Sequence, residues 1–238
     1  MKRRFTGLLL AKAAAVCAAT GLLAGAMAGI AEPHNVIEAA RKTVEDFEGN
    51  PHRTQFRATI RRANAVVILP ASPSTGDGSS RKGRPAVAVV HDGGRGSWSR
   101  PAFFRVSASG DDATAGDADV IFLVMKTGAV RQLKEGSMEL GGSDGVDVTS
   151  VTTGVEPGIE INATADILAF VDVDQGEIGP SFFDHWRLTA DPALNKGYYD
   201  EASTPESILS QGTVRTPGVE KLIGGLRIAE GIDDRTPP

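Results

Sequence analysis

The sequence predicts an α+β domain: an antiparallel, barrel-like or strongly curved β-sheet with an N-terminal helical hairpin and C-terminal helices. Three observations predict it. Between Val36 and Ile60, apolar residues recur at three- and four-residue steps, the period of an amphipathic helix. From Ala65 they come instead in short runs or in strict alternation, the pattern of strands. Beyond Phe183, a capping residue stands directly before proline at Asp191-Pro192, Thr204-Pro205 and Thr216-Pro217, a frequent way for helices to begin.

The chain opens with a basic Met1–Arg4, adds Lys12, and then runs without charge from Ala13 to Ala31. That order is expected of a secretory signal peptide, with Ala26-Met27-Ala28 as the small-x-small cleavage site and Gly29-Ile30-Ala31 as a second. Cleavage after Ala28 is expected. A retained anchor is the alternative, because the apolar stretch nearly spans a bilayer of roughly 30 Å, although its Ala and Gly content makes it a weak one. Cys17, the one cysteine, lacks the small preceding residue that lipoprotein processing wants, since Val16 and Ala14 occupy the decisive places. It is expected to leave with the signal.

Removal of residues 1–28 takes Lys2, Arg3, Arg4 and Lys12 with it. The 25 basic residues fall to 21 against 30 acidic ones, for a formal charge of −9. Such a chain is repelled as a whole by nucleic acid, and no nucleic-acid partner is expected; any contact with phosphate must come from a local patch. Without cysteine the exported domain has no disulfide framework and depends on packing and hydrogen bonding. The expected organisation is a signal peptide at 1–28, one domain at 29–232 and a disordered tail at 233–238.

Taken in order, Asn35 to Phe47 is a helix ended by Gly49-Asn50-Pro51, and Pro51 to about Asn64 is a second. Strands are predicted at Ala65–Leu69, Pro85–Val90, Trp98–Val106, Ala118–Met125 and Asp144–Val155. Ser72–Arg84 reads as an exposed loop. Thr127–Glu135 is a short helix, with Thr127 as its N-cap. From Gly158 to Val171, Ile159, Ile161, Ala163, Ala165, Ile167, Ala169 and Val171 alternate with other residues in one long strand. Leu168 and Phe170 make both of its faces apolar at the far end, so another element should cover it. After Phe182-Phe183 the chain is expected to turn helical.

Catalysis needs a convergent set of acids, bases, nucleophiles or metal ligands. His34, His52, His91 and His185 lie far apart without a recurring spacing, and there is no His-Glu-x-x-His, phosphate loop or dinucleotide glycine fingerprint. No enzymatic activity and no cofactor or metal is expected. Asp172 to Glu177 faintly resembles a calcium loop, but its glycine falls one place early and Phe183 stands where the twelfth-position glutamate belongs.

Arg53, Arg57 and Arg61 fall at four-residue steps, so on a helix they form one stripe, with Arg62 beside it and Phe56 and Ile60 on the adjoining apolar face. Such a helix can lie in a membrane interface with its guanidinium groups on lipid phosphates. The same pattern also fits a core-packed helix with a solvated arginine face.

Gly96-Ser97-Trp98-Ser99-Arg100-Pro101-Ala102-Phe103-Phe104 resembles the "G-x-W-S-x-P-A-F-aromatic" segment of the SYLF lipid-binding domain family. The resemblance extends upstream through Arg62–Pro70, similar to "A-x-x-V-x-I-F-P", and downstream through Val120–Met125 with Ala129–Leu133, and Leu140-Gly141. It continues through Ala165–Phe170, similar to "A-D-I-x-x-Y", Asn195 with Tyr198-Tyr199, similar to "N-x-x-Y-Y", and Pro205–Leu209. Two segments depart from the family. Ser72–Arg84 lacks its hydrophobic "G-F" element, and Val171–Gly176 is acidic where relatives carry a basic "S-R-x-K-G" turn, so this turn is not expected to contact phosphates.

The resemblance implies a non-enzymatic lipid-binding domain acting through its N-terminal helical region. With export, the expected ligand is a phospholipid membrane surface of the cell envelope, in a periplasmic or secreted location. Arg53, Arg57, Arg61 and Arg62 would meet phosphates, and Phe56 or Ile60 would enter the acyl boundary. The alternative is an envelope protein-interaction or structural module without a lipid ligand. Trp98, Phe103 and Phe104 are expected in the core, and Tyr198-Tyr199 to lock the C-terminal helix onto the sheet.

Overall fold

The computed structural model describes residues 32–49, 54–71, 83–92, 97–108, 118–152, 164–172, 181–200, 203–212 and 217–232. All of them belong to one compact unit, Ala31–Pro238. The expected signal peptide, Cys17, Arg53, the expected Ser72–Arg84 loop up to Lys82, the first half of the expected long strand, the acidic segment after Asp172 and the expected tail lie outside the described residues.

Helices α1 (Pro33–Gly49) and α2 (Thr54–Ile60) form the N-terminal pair. The strands are β1 (Ala65–Leu69), β2 (Arg84–Asp92), β3 (Ser97–Trp98), β4 (Ala102–Ser107), β5 (Asp119–Val124), β6 (Ser137–Leu140), β7 (Val148–Thr152), β8 (Ile167–Asp172) and β9 (Trp186–Ala190), with α3 (Thr127–Glu135) between β5 and β6. Three further helices, α4 (Pro192–Tyr199), α5 (Pro205–Leu209) and α6 (Pro217–Ala229), complete the unit. The predicted α+β class and the helical ends are thus observed.

The sheet runs β6-β9-β4-β2-β1-β5-β8-β7, with β3 on β2. Every pairing is antiparallel except β7 on β8, which is parallel and makes the sheet mixed. Its two ends nearly meet. Gly141 N donates to Val146 O (2.9 Å) and Val146 N to Glu139 O (2.8 Å), so the turn leaving β6 is tied back to it before β7 begins beside β8. The result is a nearly closed barrel-like sheet.

Closure explains the composition of the strands. Val66, Ile68, Val87, Val89, Phe103, Ile121, Leu123, Leu168 and Phe170 pack under α1, α2, α4 and α6. Their neighbours Ala65, Val67, Leu69, Ala88, Phe104, Phe122, Ala169 and Val171 fill the opposite, inner face with residues from α3 and α5. A strand buried on both faces loses the wet alternation of a one-sided sheet, and β1 and β8 therefore read as apolar runs. The cover expected over the far end of β8 is the pair α1 and α2.

Several boundaries differ from expectation. The segment 98–106 breaks at Ser99–Pro101 into β3 and β4, because proline at 101 cannot donate to a ladder. The strand expected at 144–155 begins only at Val148, as β7, and β8 starts only at Ile167. Helix α2 is shorter than predicted. Residue Thr127 is the first residue of α3 rather than its N-cap, which is Lys126 without a side-chain bond. Trp186–Ala190, expected in a helical region, is β9, where Trp186 and Leu188 point inward and Arg187 is exposed. Five residues show too little of a period for sequence alone to separate strand from helix. The caps at Asp191 and Thr204 are made as predicted: Asp191 accepts from the N–H of Ala193 and Leu194, and Thr204 from Ser207.

Gly218 faces Ile37 and Gly225 faces Val44, so α1 and α6 run in the same direction and end side by side. That convergence of two helix C-termini lies next to α2.

Candidate functional site

Helix α2 has only one face to bury, and it gives that face to the core. Phe56 and Ile60 are fully buried; Phe56 lies tilted on Phe47 at 5.7 Å and edge-on to Phe170 at 5.5 Å. The lipid contact expected of these two side chains is therefore corrected: they hold α2 onto α1 and β8 and cannot reach an acyl boundary from there. Arg57 on α2, and Arg61 and Arg62 in the turn just after it, are exposed.

Two of the three arginines reach the ends of neighbouring helices. Arg57 Nη2 donates to the carbonyl of Glu48 (3.0 Å) and to its carboxylate (3.1 Å) in the last turn of α1. Arg61 Nε donates to the carbonyl of Glu230, just past α6. The last carbonyls of a helix lack intrahelical partners and carry the negative end of the helix dipole, so a guanidinium is well matched to both. Arg62 is exposed and makes no ion pair among the described residues.

Helix α6 ends in a Schellman turn. Gly231 has a left-handed φ of 77°, its N–H donates to Ile228 O (2.8 Å), and Ile232 N–H donates to Arg227 O (2.9 Å). Any side chain at 231 would collide with the Arg61 guanidinium, which lies against this turn. Ile228 and Ile232, 44% and 39% exposed, flank the glycine.

The residue between them in sequence, Glu230, points inward and is almost fully buried. Trp98 Nε1 donates to its carboxylate (3.3 Å), and His91 Nε2, on a ring packed edge-on to Trp98, lies 3.5 Å from it. Burial pushes the Glu230 carboxyl above the usual range, opposed by His91, the Trp98 N–H, Arg227 and Arg61. The folded state therefore holds this proton at pH values where the unfolded chain, titrating near ~4.3, has released it. Stability is expected to fall as pH rises from that value through the raised folded pKa. Glu230→Gln should flatten this decline in urea midpoints measured between pH 4 and 8, and an unchanged profile would refute the assignment.

The remaining motif residues are structural. Asn195, fully buried, accepts from Phe103 N–H (2.9 Å) and donates to Phe103 O (3.0 Å) and Asp191 O (2.9 Å). Its carboxamide continues the β4–β9 ladder beyond Ala190. Tyr199 donates to Pro101 O (2.6 Å) under the guanidinium of Arg100, and burial holds its hydroxyl far above the ordinary tyrosine range. Tyr198 packs on Phe103 and on His34 of α1. Trp98, Phe103 and Phe104 are fully buried, as expected.

Gly141-Gly142-Ser143-Asp144-Gly145 spells the G-x-S-x-G of a nucleophile elbow, but here it forms the turn that ties β6 towards β7. No helix follows it. Gly141 has a left-handed φ of 62° and a side chain there would meet Asp184, while a side chain at Gly145 would overlap the carbonyl of Gly141. Histidines 34, 91 and 185 lie on α1, β2 and the turn before β9 respectively. Among the described residues no group of three or more His, Cys, Asp or Glu side chains could hold a metal ion, and no helix is long and apolar enough to cross a membrane.

Residues 112–229 match the model of a family described as "Ysc84: Las17-binding protein actin regulator". This span runs from the approach to β5 through the last residue of α6. Comparison with curated proteins gives no match.

Proposed function

Because the chain belongs to the SYLF-domain family, a family of lipid-binding and actin-regulator domains, we propose that it is a binding domain for the phosphate-bearing surface of an anionic phospholipid membrane. Arg57, Arg61 and Arg62, with Arg53 just before α2, supply the phosphate contacts. With residues 1–28 read as a secretory signal, this activity would lie outside the cytoplasm, on the faces of the envelope.

One observation supports this reading above the others: three arginines gather where α1, α2 and α6 meet, on a chain whose exported form carries a formal charge of −9. Capping uses only part of each guanidinium. Arg57 donates through Nη2 and Arg61 through Nε, and a guanidinium has five N–H groups, so donors remain for a phosphate.

Co-sedimentation of residues 29–238 with vesicles at low salt tests it. Binding to phosphatidylglycerol vesicles and not to phosphatidylcholine is expected, weakening as salt screens the contact. At about 1 kcal/mol per basic residue near an anionic surface, the triple change Arg57→Glu, Arg61→Glu, Arg62→Glu should weaken binding by at least about 100-fold. Arg62→Glu alone, which disturbs no cap, should cost about fivefold or more without a change in thermal midpoint. No binding to anionic vesicles, or equal binding by the triple variant, would overturn the reading. Capture of an envelope protein by a chain that ignores vesicles would establish the protein-interaction module in its place.

A further inference from the structure

We propose that Ile228 and Ile232, at the C-terminal end of α6, are the side chains that enter the membrane. This rests on the lipid-binding reading above and identifies its apolar contact, which Phe56 and Ile60 cannot supply.

Ile228 and Ile232 are the large hydrophobic residues left exposed among the described residues, and they stand on either side of a single turn. The turn is suited to a medium of low dielectric. In such a medium an unpaired backbone N–H or C=O costs several kcal/mol. Here the Glu230 N–H donates to Leu226 O (2.9 Å), Gly231 N–H to Ile228 O, Ile232 N–H to Arg227 O, and the Glu230 carbonyl receives Arg61. The acid within the turn faces away: Glu230 is buried against Trp98 and His91, so its carboxylate does not oppose anionic head groups. Beside the turn stands the Arg61 guanidinium, packed against Gly231. Two apolar side chains flanked by a cation, on a turn whose N–H groups at 230, 231 and 232 are paired, match the boundary between head groups and acyl chains in both charge and polarity. Asp233 and Asp234 follow directly in the sequence, so the apolar stretch ends at Ile232.

The test uses residues 29–238, which contain the whole compact unit Ala31–Pro238 and lack cysteine, since Cys17 is the only one. Ile228→Cys and Ile232→Cys are each labelled with an environment-sensitive dye, with Lys221→Cys, on an exposed part of α6, as the comparison. On phosphatidylglycerol vesicles the dye at 228 and 232 should shift to the blue while that at 221 stays water-like. The double change Ile228→Ser, Ile232→Ser should weaken vesicle binding by about tenfold at an unchanged thermal midpoint, because both residues are already exposed.

Binding that persists undiminished in the double serine variant, with dye at 228 and 232 still in water, would overturn the insertion while leaving the arginine contact standing. Absence of any binding by the unlabelled chain would overturn the lipid reading and the insertion together. A blue shift that appears with protein concentration and without vesicles would assign the isoleucines to contact between two copies and also overturn the proposal.

Discussion

Phe56→Ala is expected to lower the unfolding free energy by about 3–5 kcal/mol, the cost of deleting a large buried aromatic side chain. Phe56 is fully buried between Phe47 of α1 and Phe170 of β8, so its loss opens a cavity at the joint between both N-terminal helices and the sheet. Relaxation of the short α2 into that cavity would also displace Arg57 and Arg61 from the helix ends they cap. The change in urea midpoint measures the cost. A variant as stable as the parent would mean that this side chain is not part of the core, and would return it to the lipid-contacting role that the sequence pattern alone allows.

Asn195→Ala is expected to cost about 2–3 kcal/mol, again in urea midpoints, because it leaves the Phe103 N–H buried without its acceptor. The Phe103 carbonyl keeps a donor in the Asp191 N–H (2.9 Å), so the loss is concentrated on one orphaned group and a small void. Asn195→Asp sharpens the test. A carboxylate can accept from Phe103 N–H but cannot donate to the carbonyls of Phe103 and Asp191, and it adds a buried charge. It should be no more stable than the alanine variant at pH 7. Full stability of Asn195→Asp would show that the donating half of the carboxamide is dispensable.

These two positions also show which parts of the fold could be read from sequence. Asn195 with Tyr198-Tyr199 was recognisable as a motif, yet the reason for it is a pairing with Phe103, 92 residues away. Periodicity carries no information about such a partner. The arginine stripe is a similar case. Its four-residue spacing assumes a helix through Arg61, but α2 ends at Ile60, and Arg61 in the following turn finds its carbonyl 169 residues later, at Glu230. The exposed isoleucines had a local signal that the helical pattern concealed: glycine after the last helical turn, followed by an apolar residue, is the signature of a Schellman turn, and Ile228 to Ile232 carries it.

By itself the sequence determined the class of the domain, the starts of α4 and α5 at their proline-preceding caps, the five residues of β1, and membership of the family. All of these depend on neighbours within a few positions, through side-chain period, cap chemistry and motif order. Only the tertiary structure decided which face of α2 is buried, that β7 joins β8 in parallel, that the sheet nearly closes through the 141–146 turn, and that the arginines double as helix caps. Each of those outcomes is a contact between segments distant in the chain, selected by the burial of both sheet faces, and no local pattern encodes which distant segment arrives.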